Sequence, residues 1–168
     1  MPAPTYYVKL TTLGLTRLAE ALANNTPLVF THVAVGDGNG SPITPDPSMT
    51  ALVNERARVA TNEVSISENS SSTVVIEGII PSGTGGFTIR EAGAFNGAGE
   101  LIAIASYPPT YKPSPSDGVT IEAYVRLLID YASVEVIALS VDGSVVTASR
   151  DYVDDGDAGR LWLWENFT

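Results

Sequence analysis

The sequence predicts a β-rich α+β fold, an antiparallel sheet or sandwich with one N-terminal amphipathic helix and a C-terminal tail. Three observations lead to this class. Alternating or β-branched segments recur along the chain, polar turns rich in Gly, Asn, Ser and Pro separate them, and only one long segment has helical periodicity. We therefore expect hairpins to dominate the topology.

The one long helix lies near the N-terminus. Residues 6–10 are typical of an edge strand, and Thr11 or Thr12 can cap the helix that follows. Asn24, Asn25 and Pro27 end it. Four apolar residues recur at helical spacing: Leu15, Leu18, Ala19 and Leu22. Because they form one stripe, we expect this stripe to pack on the core.

Strands and turns alternate in the next part of the chain. We expect strands at residues 28–35, 61–67 and 73–80, the last two joined as a hairpin across a polar turn. The Gly-rich residues 36–40 indicate a tight reversal. Residues 49–56 have the pattern of a short helix.

Residues 86–113 form the most informative stretch. An Asn-Gly turn at residues 96–99 joins two apolar runs, which predicts a β-hairpin. Arg90 and Glu91 interrupt the first run, and neighbouring strand residues point to opposite faces, so they do not pair with each other. Each charge needs a partner, since an unpaired buried charge is costly. Two alternatives remain open: a cross-strand ion pair within the chain, or an ion pair between subunits.

The hairpin ends in a stiff, proline-rich exit. Residues 107–113 have the sequence YPPTYKP, and proline fixes the backbone. We expect the exit to present a preformed surface to a neighbouring protein, with Tyr107, Tyr111 and Lys112 as candidate contact residues.

The C-terminal part begins with strongly alternating residues. A strand is expected at residues 119–131, with the odd-numbered residues from 121 to 129 on one face, and a second at 133–141. Residues 145–153 fit either a strand or a short helix.

An acidic, glycine-containing segment then leads to an aromatic end. The candidate contact residues there are Trp162, Trp164 and Phe167. Large apolar side chains on a short tail are a liability in water. The tail either folds back on its own domain or is buried in a partner or between symmetry mates. We favour the latter, because aromatics anchor interfaces. The expected division is a domain of residues 1–153 and an interaction peptide of residues 154–168.

Composition excludes several classes of function. The net charge of −10 and the absence of a basic run argue against nucleic-acid binding. Without cysteine, the chain has neither disulfides nor a thiol nucleophile. No stretch approaches the ~20 apolar residues of a membrane span, and no secretory signal is evident. We therefore expect a protein made in a cytoplasm, without membrane insertion.

No constellation of residues predicts chemistry. Asp37, Asn39 and Ser41 have the opening spacing of a calcium loop, but the closing glutamate is missing, so a Gly/Asn/Asp turn is the preferred interpretation. His32 is the only histidine and is expected in the core. There is no Gly-x-Ser-x-Gly elbow, and the aspartates between residues 154 and 157 read as a solvated run. We expect neither an enzyme nor a bound cofactor.

Four runs of the sequence resemble a known family. They are TTLGLTRLAEALANNTPL, THVAVGDGNG with TPD and TALVNE after it, GGFTIREAGAFNGAGELIAIASYPPTYKP, and SVVTASRDYVD. In this order they resemble the N-terminal domain of collar-type tail-fibre proteins of contractile-tailed bacteriophages. The resemblance covers residues 5–153.

The resemblance implies a virion structural protein, trimeric in most fibres, whose N-terminal domain docks on the baseplate wedge protein. In typical members the motif at residues 150–154 leads into a long shaft, whereas here residues 155–168 follow it. A short adaptor that hands over to a separate distal fibre protein fits this departure. A fibre gene cut short would give the same sequence.

A carbohydrate-binding module is the second interpretation. In it, Tyr107, Tyr111, Trp162 and Trp164 would stack on host-surface sugars. A glycan hydrolase is less favoured, because the sequence lacks a convincing carboxylate pair.

Overall fold

The computed structural model describes residues 6–130 and 140–141. Within them, one α-helix, α1 (Thr12–Asn24), and eight strands are present: β1 (Val8–Leu10), β2 (Phe30–Gly36), β3 (Glu55–Ser67), β4 (Ser70–Ile80), β5 (Phe87–Asn96), β6 (Leu101–Lys112), β7 (Ala123–Asp130) and β8 (Ser140–Val141). The predicted β-rich α+β class is confirmed. The expectations for residues 145–153 and for the aromatic end lie outside the described residues, as does most of the strand expected at 133–141.

The strands form one antiparallel sheet. Its order is β1-β6-β5-β2-β3-β4-β7, and β8 pairs with β3 off this path. β3 is the longest strand, because its first half pairs with β2 and its second half with β4. The ends of the order, β1 and β7, come within 8 Å of each other between Cα atoms, so the sheet curls until it is nearly closed.

Alternation along the strands forms the core inside this curl. In β7, Val125, Leu127 and Ile129 are buried while the residues between them are exposed, as the sequence predicted. The largest buried apolar side chains of this core come from several strands: Ile76, Ile80, Ile89, Ile102 and Leu127. Phe95 and Ile104 belong to a second buried cluster, with Ala34, Leu52 and Leu101. The hairpins predicted between β3 and β4 and between β5 and β6 are confirmed by their strand registers.

Helix α1 is fixed to β6 at its first turn. Thr11 is the N-cap: its hydroxyl accepts from the Gly14 N–H at 2.8 Å and donates to the Leu101 carbonyl at 2.7 Å. A Cβ placed on Gly14 would lie 2.1 Å from the Ile102 carbonyl oxygen. The helix backbone therefore lies directly on the strand, in a contact that only glycine permits.

The predicted apolar stripe of α1 does not pack on the core as a whole. Leu18 is partly buried, but Leu15 and Leu22 are 52% and 48% exposed. The buried positions are the small residues Gly14 and Ala21. The prediction was wrong because the short distance between helix and strand admits small residues only, which turns the leucines outward.

Two further predictions were wrong. Residues 49–54 contain no helix, and β3 already begins at Glu55. The backbone N–H groups of Val53 and Asn54 instead donate hydrogen bonds to the Glu91 side chain on β5. These bonds hold the segment in an irregular conformation. His32 is exposed, because its side of β2 lies beside the exposed Ala60 of β3.

Among the described residues, no helix is both long and apolar enough to cross a membrane.

We predict that Gly14→Ala destabilises the fold. The new methyl group meets a backbone carbonyl, and overpacking of this kind exceeds the gain in helix propensity, so the free energy of unfolding should fall by about 2 kcal/mol. Urea denaturation measures it. Gly83→Ala is the control, because a Cβ there meets nothing within 4 Å. Equal stability of the two variants would contradict the close contact.

Candidate functional site

The two strands of the β5–β6 hairpin are unequal in length opposite Arg90. Ile89 pairs with Thr110, and Glu91 pairs with Ser106. Arg90 on β5 therefore lies opposite three residues on β6, residues 107–109, which form a β-bulge larger than the usual two residues against one. Pro108 and Pro109 lack an N–H and so cannot complete the ladder. The sequence thus forces the chain outward at this point.

The bulge and the residues after it form an exposed surface, which we call the proline ridge (residues 107–111). Pro108, Pro109 and Thr110 are exposed, and Tyr111 is 54% exposed. Tyr107 is half-buried at the base, where burial raises the pKa of its phenol. The predicted contact residues Tyr107 and Tyr111 therefore lie at the two ends of one ridge.

Lys112 fixes the C-terminal end of the ridge. It was predicted as a contact residue, but it is 1% exposed and its Nζ donates to the Ile121 carbonyl at 2.7 Å. Desolvation lowers the pKa of Lys112, although the nearby Glu122 carboxylate opposes this. The backbone confirms the attachment, since the Gly86 N–H donates to the Lys112 carbonyl at 2.7 Å. The buried Lys112 therefore anchors the ridge to the interior of the fold.

The Tyr111 ring is also held by its hydroxyl. The hydroxyl donates to the Asp117 carboxylate at 2.8 Å, and the Ser114 N–H donates to the same oxygen at 2.8 Å. These bonds, that of the Ser114 N–H above all, lower the pKa of Asp117, and the bond to Asp117 raises the pKa of Tyr111. The exposed ring is thus oriented before any partner binds.

Glu91 fixes the other side of the hairpin. Its side chain is fully buried and accepts three backbone N–H bonds: from Gly38 at 3.2 Å, Val53 at 2.7 Å and Asn54 at 2.8 Å. We had expected an ion pair, and the structure instead gives backbone amides as partners. They stabilise the carboxylate while joining the loop between β2 and β3 to the hairpin. The sequence could not indicate these partners, because backbone N–H groups are present in almost every residue and do not depend on the side chain.

Arg90 differs from its neighbour. Its side chain is half-buried, and within the part of the chain that the structure describes it forms no hydrogen bond or ion pair. The ion pair expected within the chain is therefore not found among these residues. Arg90 lies beside Gly38, opposite the ridge residues in the strand register. It leaves a cation beside the ridge that a partner carboxylate can pair with.

The Gly-rich loop after β2 is a turn, as the sequence favoured. Asn39 has a φ of 57° and Gly38 a φ of 60°, both in the left-handed region. Asp37 accepts from the Asn54 side chain at 2.7 Å and pairs with Arg56 at 2.5 Å. The pKa of Asp37 is lowered, and the hydrogen bond from the Asn54 side chain contributes most to this shift. The carboxylate that would open a calcium loop is therefore used within the fold.

A second ionic contact joins α1 to the hairpin turn. Arg17 donates to both carboxylate oxygens of Glu100, from Nε at 2.8 Å and from Nη2 at 2.6 Å, and the Asn96 side chain donates at 2.8 Å. The Arg17 bond is the largest cause that lowers the pKa of Glu100 to about 2, and the same contact raises the pKa of Arg17. Nothing in the sequence indicated this pair, because its members are far apart in the chain.

A groove of about 510 Å³ lies where the sheet is not fully closed, between β7 and the β1–β6 pair. Its lining includes three tyrosines and two charged residues, Tyr6, Tyr7, Tyr107, Arg126 and Asp130. Tyr111 is not part of this lining. The structure therefore does not bring together Tyr107 and Tyr111 as one sugar-stacking face, and Trp162, Trp164 and Phe167 lie outside the described residues.

The described residues form a surface with the properties of a binding site. Its components are a rigid backbone ridge, an oriented tyrosine and a nearby cation. Among these residues, no group of three or more His, Cys, Asp or Glu side chains is placed to hold a metal ion.

Comparison with known proteins gives two matches. The sequence model of the family described as "Phage tail-collar fibre protein, N-terminal" matches residues 3–151. The chain is 39% identical over 147 residues to the "Probable tail fiber protein" of Escherichia phage P2. This alignment covers 87% of the chain and 22% of the P2 protein, so the chain spans about a fifth of that relative's length. No solved structure matches the chain.

We predict that Glu91→Ala destabilises the protein by about 3 kcal/mol or more, because three buried N–H groups lose their acceptor and each unmade bond costs about 1–3 kcal/mol. Urea denaturation at neutral pH measures the change. Glu68→Ala, an identical substitution at an exposed turn residue, should alter stability by less than about 0.5 kcal/mol. If Glu91→Ala behaved like this control, the three bonds would have no structural importance.

A second prediction concerns the stability of the fold at acidic pH. The folded-state pKa of Glu100, about 2, lies below its ordinary value of 4.5. The stabilisation of the fold by the ionised Glu100 carboxylate is therefore complete above pH 4.5 and is lost as the pH falls from 4.5 towards 2. Arg17→Gln removes the cause of the shift, so this variant should lose less stability between pH 6 and pH 3 than the original chain. Denaturation curves at both pH values measure the difference, and parallel losses would contradict it.

Proposed function

Because this chain belongs to the family of phage tail-collar fibre proteins, we propose that it joins the tail baseplate to a more distal host-recognition fibre. A structural role in the virion tail follows from the family itself. The proposal adds the position of the chain within the tail: a baseplate wedge protein on one side and a distal fibre protein on the other. It acts by assembly, without catalysis or a cofactor, after synthesis in the host cytoplasm.

The proline ridge is the observation that carries the baseplate contact. Its exposed residues are held by the buried Lys112 and by the Tyr111–Asp117 bond, so little conformational entropy remains to be lost on binding. Rigid tyrosine side chains are typical anchors of protein interfaces. Arg90 beside the ridge, which has no charged partner among the described residues, adds a polar contact that can fix the orientation of the partner.

Charge indicates the character of the partners. With a net charge of −10, the chain is attracted to basic surfaces, so the baseplate surface that receives it should be basic. We propose that the chain assembles as a homotrimer. Since three such chains repel one another, their mutual contact should be mostly apolar.

The C-terminal residues supply the second contact in this proposal. Residues 1–153 act as the attachment domain, and residues 154–168 act as a peptide that binds the distal fibre through Trp162, Trp164 and Phe167. An acidic segment before the aromatics keeps this peptide soluble until it meets its partner.

Glycan binding is the second candidate function. The observation in its favour is the groove between β7 and the β1–β6 pair, whose tyrosines and charged residues suit a sugar ring and its hydroxyl groups. Binding of the isolated protein to a host-surface glycan would favour it, whereas binding to baseplate proteins alone would favour the adaptor.

We predict that Pro109→Ala combined with Tyr111→Ala lowers incorporation into phage particles about tenfold, because the ridge loses its rigidity and its anchor. Complementation of a phage that lacks the protein, followed by quantification in purified particles, measures it. Leu128→Ala is the matched control, since Leu128 is 51% exposed and Tyr111 is 54% exposed.

The ridge variant should retain the circular dichroism spectrum and oligomeric state of the original protein. Normal incorporation of this folded variant would refute the proposed baseplate contact.

A further inference from the structure

The sequence contains two Asn-Gly pairs, Asn39-Gly40 and Asn96-Gly97, and both lie in turns. Asparagine before glycine loses its side-chain amide more readily than asparagine before other residues. The reason is steric, because glycine has no side chain to hinder the attack of its own backbone nitrogen. The two pairs have the same local sequence, so any difference in their reactivity must come from the fold.

The reaction is an intramolecular substitution followed by hydrolysis. The glycine nitrogen gives its proton to the solvent and attacks Cγ of the asparagine. The Cγ–Nδ2 bond breaks, the amide leaves as ammonia, and a five-membered cyclic imide remains. Water then adds to one of the two imide carbonyls, which gives either aspartate or isoaspartate. Ring closure therefore requires an asparagine whose side chain and ψ angle are free to move.

Asn39 meets this requirement. It is exposed, and its side chain forms no hydrogen bond within the part of the chain that the structure describes. Its ψ of 35° must change for the ring to close, and the bond that opposes the change is that of the Gly40 N–H to the Asp37 carbonyl, at 3.0 Å. A Cβ placed on Gly40 would meet nothing within 4 Å, so the turn has open space in which to rotate.

The side chain of Asn96 is held in place instead. Asn96 is 9% exposed, and its Oδ1 accepts from the N–H groups of Ala98 at 3.1 Å and Glu100 at 2.9 Å. Its Nδ2 donates to the Glu100 carboxylate at 2.8 Å, and Arg17 holds that carboxylate in turn. Three hydrogen bonds therefore have to open before Cγ can rotate towards the Gly97 nitrogen.

The backbone of Asn96 is restrained as well. Its N–H donates to the Glu100 carbonyl at 3.2 Å, and its carbonyl accepts from the Gly99 N–H at 3.0 Å. On the other side, Asn96 pairs with Phe30 of β2. The Gly97 N–H has no hydrogen-bond partner among the described residues, so the restraint at this pair lies on the asparagine and not on the attacking nitrogen.

We propose that Asn39 is a site of spontaneous deamidation in the folded protein, and that the β5–β6 turn protects Asn96. The product at residue 39 carries a new carboxylate next to Gly38, which lies beside Arg90. Isoaspartate also lengthens the backbone of the turn by one methylene group. The turn would then hold the Gly38 N–H less firmly against Glu91. This modification site is independent of the proposed role in the tail.

Peptide mapping by mass spectrometry compares the two sites within the full chain. Folded protein and protein unfolded in guanidinium chloride are incubated at the same mildly alkaline pH and temperature. In the folded protein, residue 96 should deamidate at least about tenfold more slowly than residue 39, because its hydrogen bonds must open first. In the unfolded protein the two rates should agree within about twofold, since only local sequence then acts. Equal rates in the folded protein overturn the inference, as does an Asn39 that reacts only after unfolding.

A variant of the hairpin turn tests the cause of the protection. Glu100→Ala removes the acceptor of the Asn96 side chain, so deamidation at residue 96 should become at least about threefold faster while the rate at residue 39 stays the same. Glu68→Ala, at an exposed turn residue, is the matched control and should change neither rate. Circular dichroism verifies that both variants are folded. An unchanged rate at residue 96 in folded Glu100→Ala contradicts the proposed protection.

A variant at the reactive site gives a readout that does not depend on the hairpin. Asn39→Gln should remove most of the acidic species that ion-exchange chromatography detects in aged protein, because glutamine would have to form a six-membered ring, which closes more slowly. Persistence of that species in the variant would show that the modified residue is not Asn39.

Discussion

The buried carboxylate of Glu91 is the interaction on which the rest of the structure depends. It is removed from water, no cation pairs with it among the residues that the structure describes, and three backbone N–H groups replace the lost hydration. Two of these donors belong to the segment before β3, and the third belongs to the turn after β2. A single side chain therefore joins β5 to both ends of a loop that spans residues 37–54. Gly36 is required beside it, because a Cβ there would lie 2.4 Å from the carboxylate.

The β5–β6 hairpin connects this buried site to the proline ridge and to helix α1. The proline ridge arises where β6 bulges opposite Arg90, next to Glu91. Helix α1 lies on the other end of β6, through Gly14 and the Arg17–Glu100 pair. The ridge and helix α1 are thus parts of one rigid unit. Such a connection would hold the proposed baseplate contact at a fixed angle to the rest of the domain.

Local patterns in the sequence predicted those features that depend on neighbouring residues. The β5–β6 turn, the alternation in β7 and a threonine N-cap at residue 11 or 12 follow from backbone preferences and from the period of the strand, and the structure selects Thr11 as the cap. Partners distant in sequence could not be predicted. Nothing in the pattern around Glu91 indicates that its partners are main-chain amides, and nothing around Lys112 indicates that its ammonium group is buried against the Ile121 carbonyl.

The helix shows why periodicity identifies an apolar surface but not what covers it. Helix α1 has two apolar sides: the small residues Gly14 and Ala21 are buried against the domain, and Leu15 and Leu22 face outward. A hydrophobic pattern weights the leucines most, so it predicts that they are buried in the domain. The sheet selects the opposite side, because a helix that lies on a strand carbonyl can present only glycine or alanine there. The periodicity therefore identifies the apolar residues correctly, and the close approach of helix and strand decides which of them are buried.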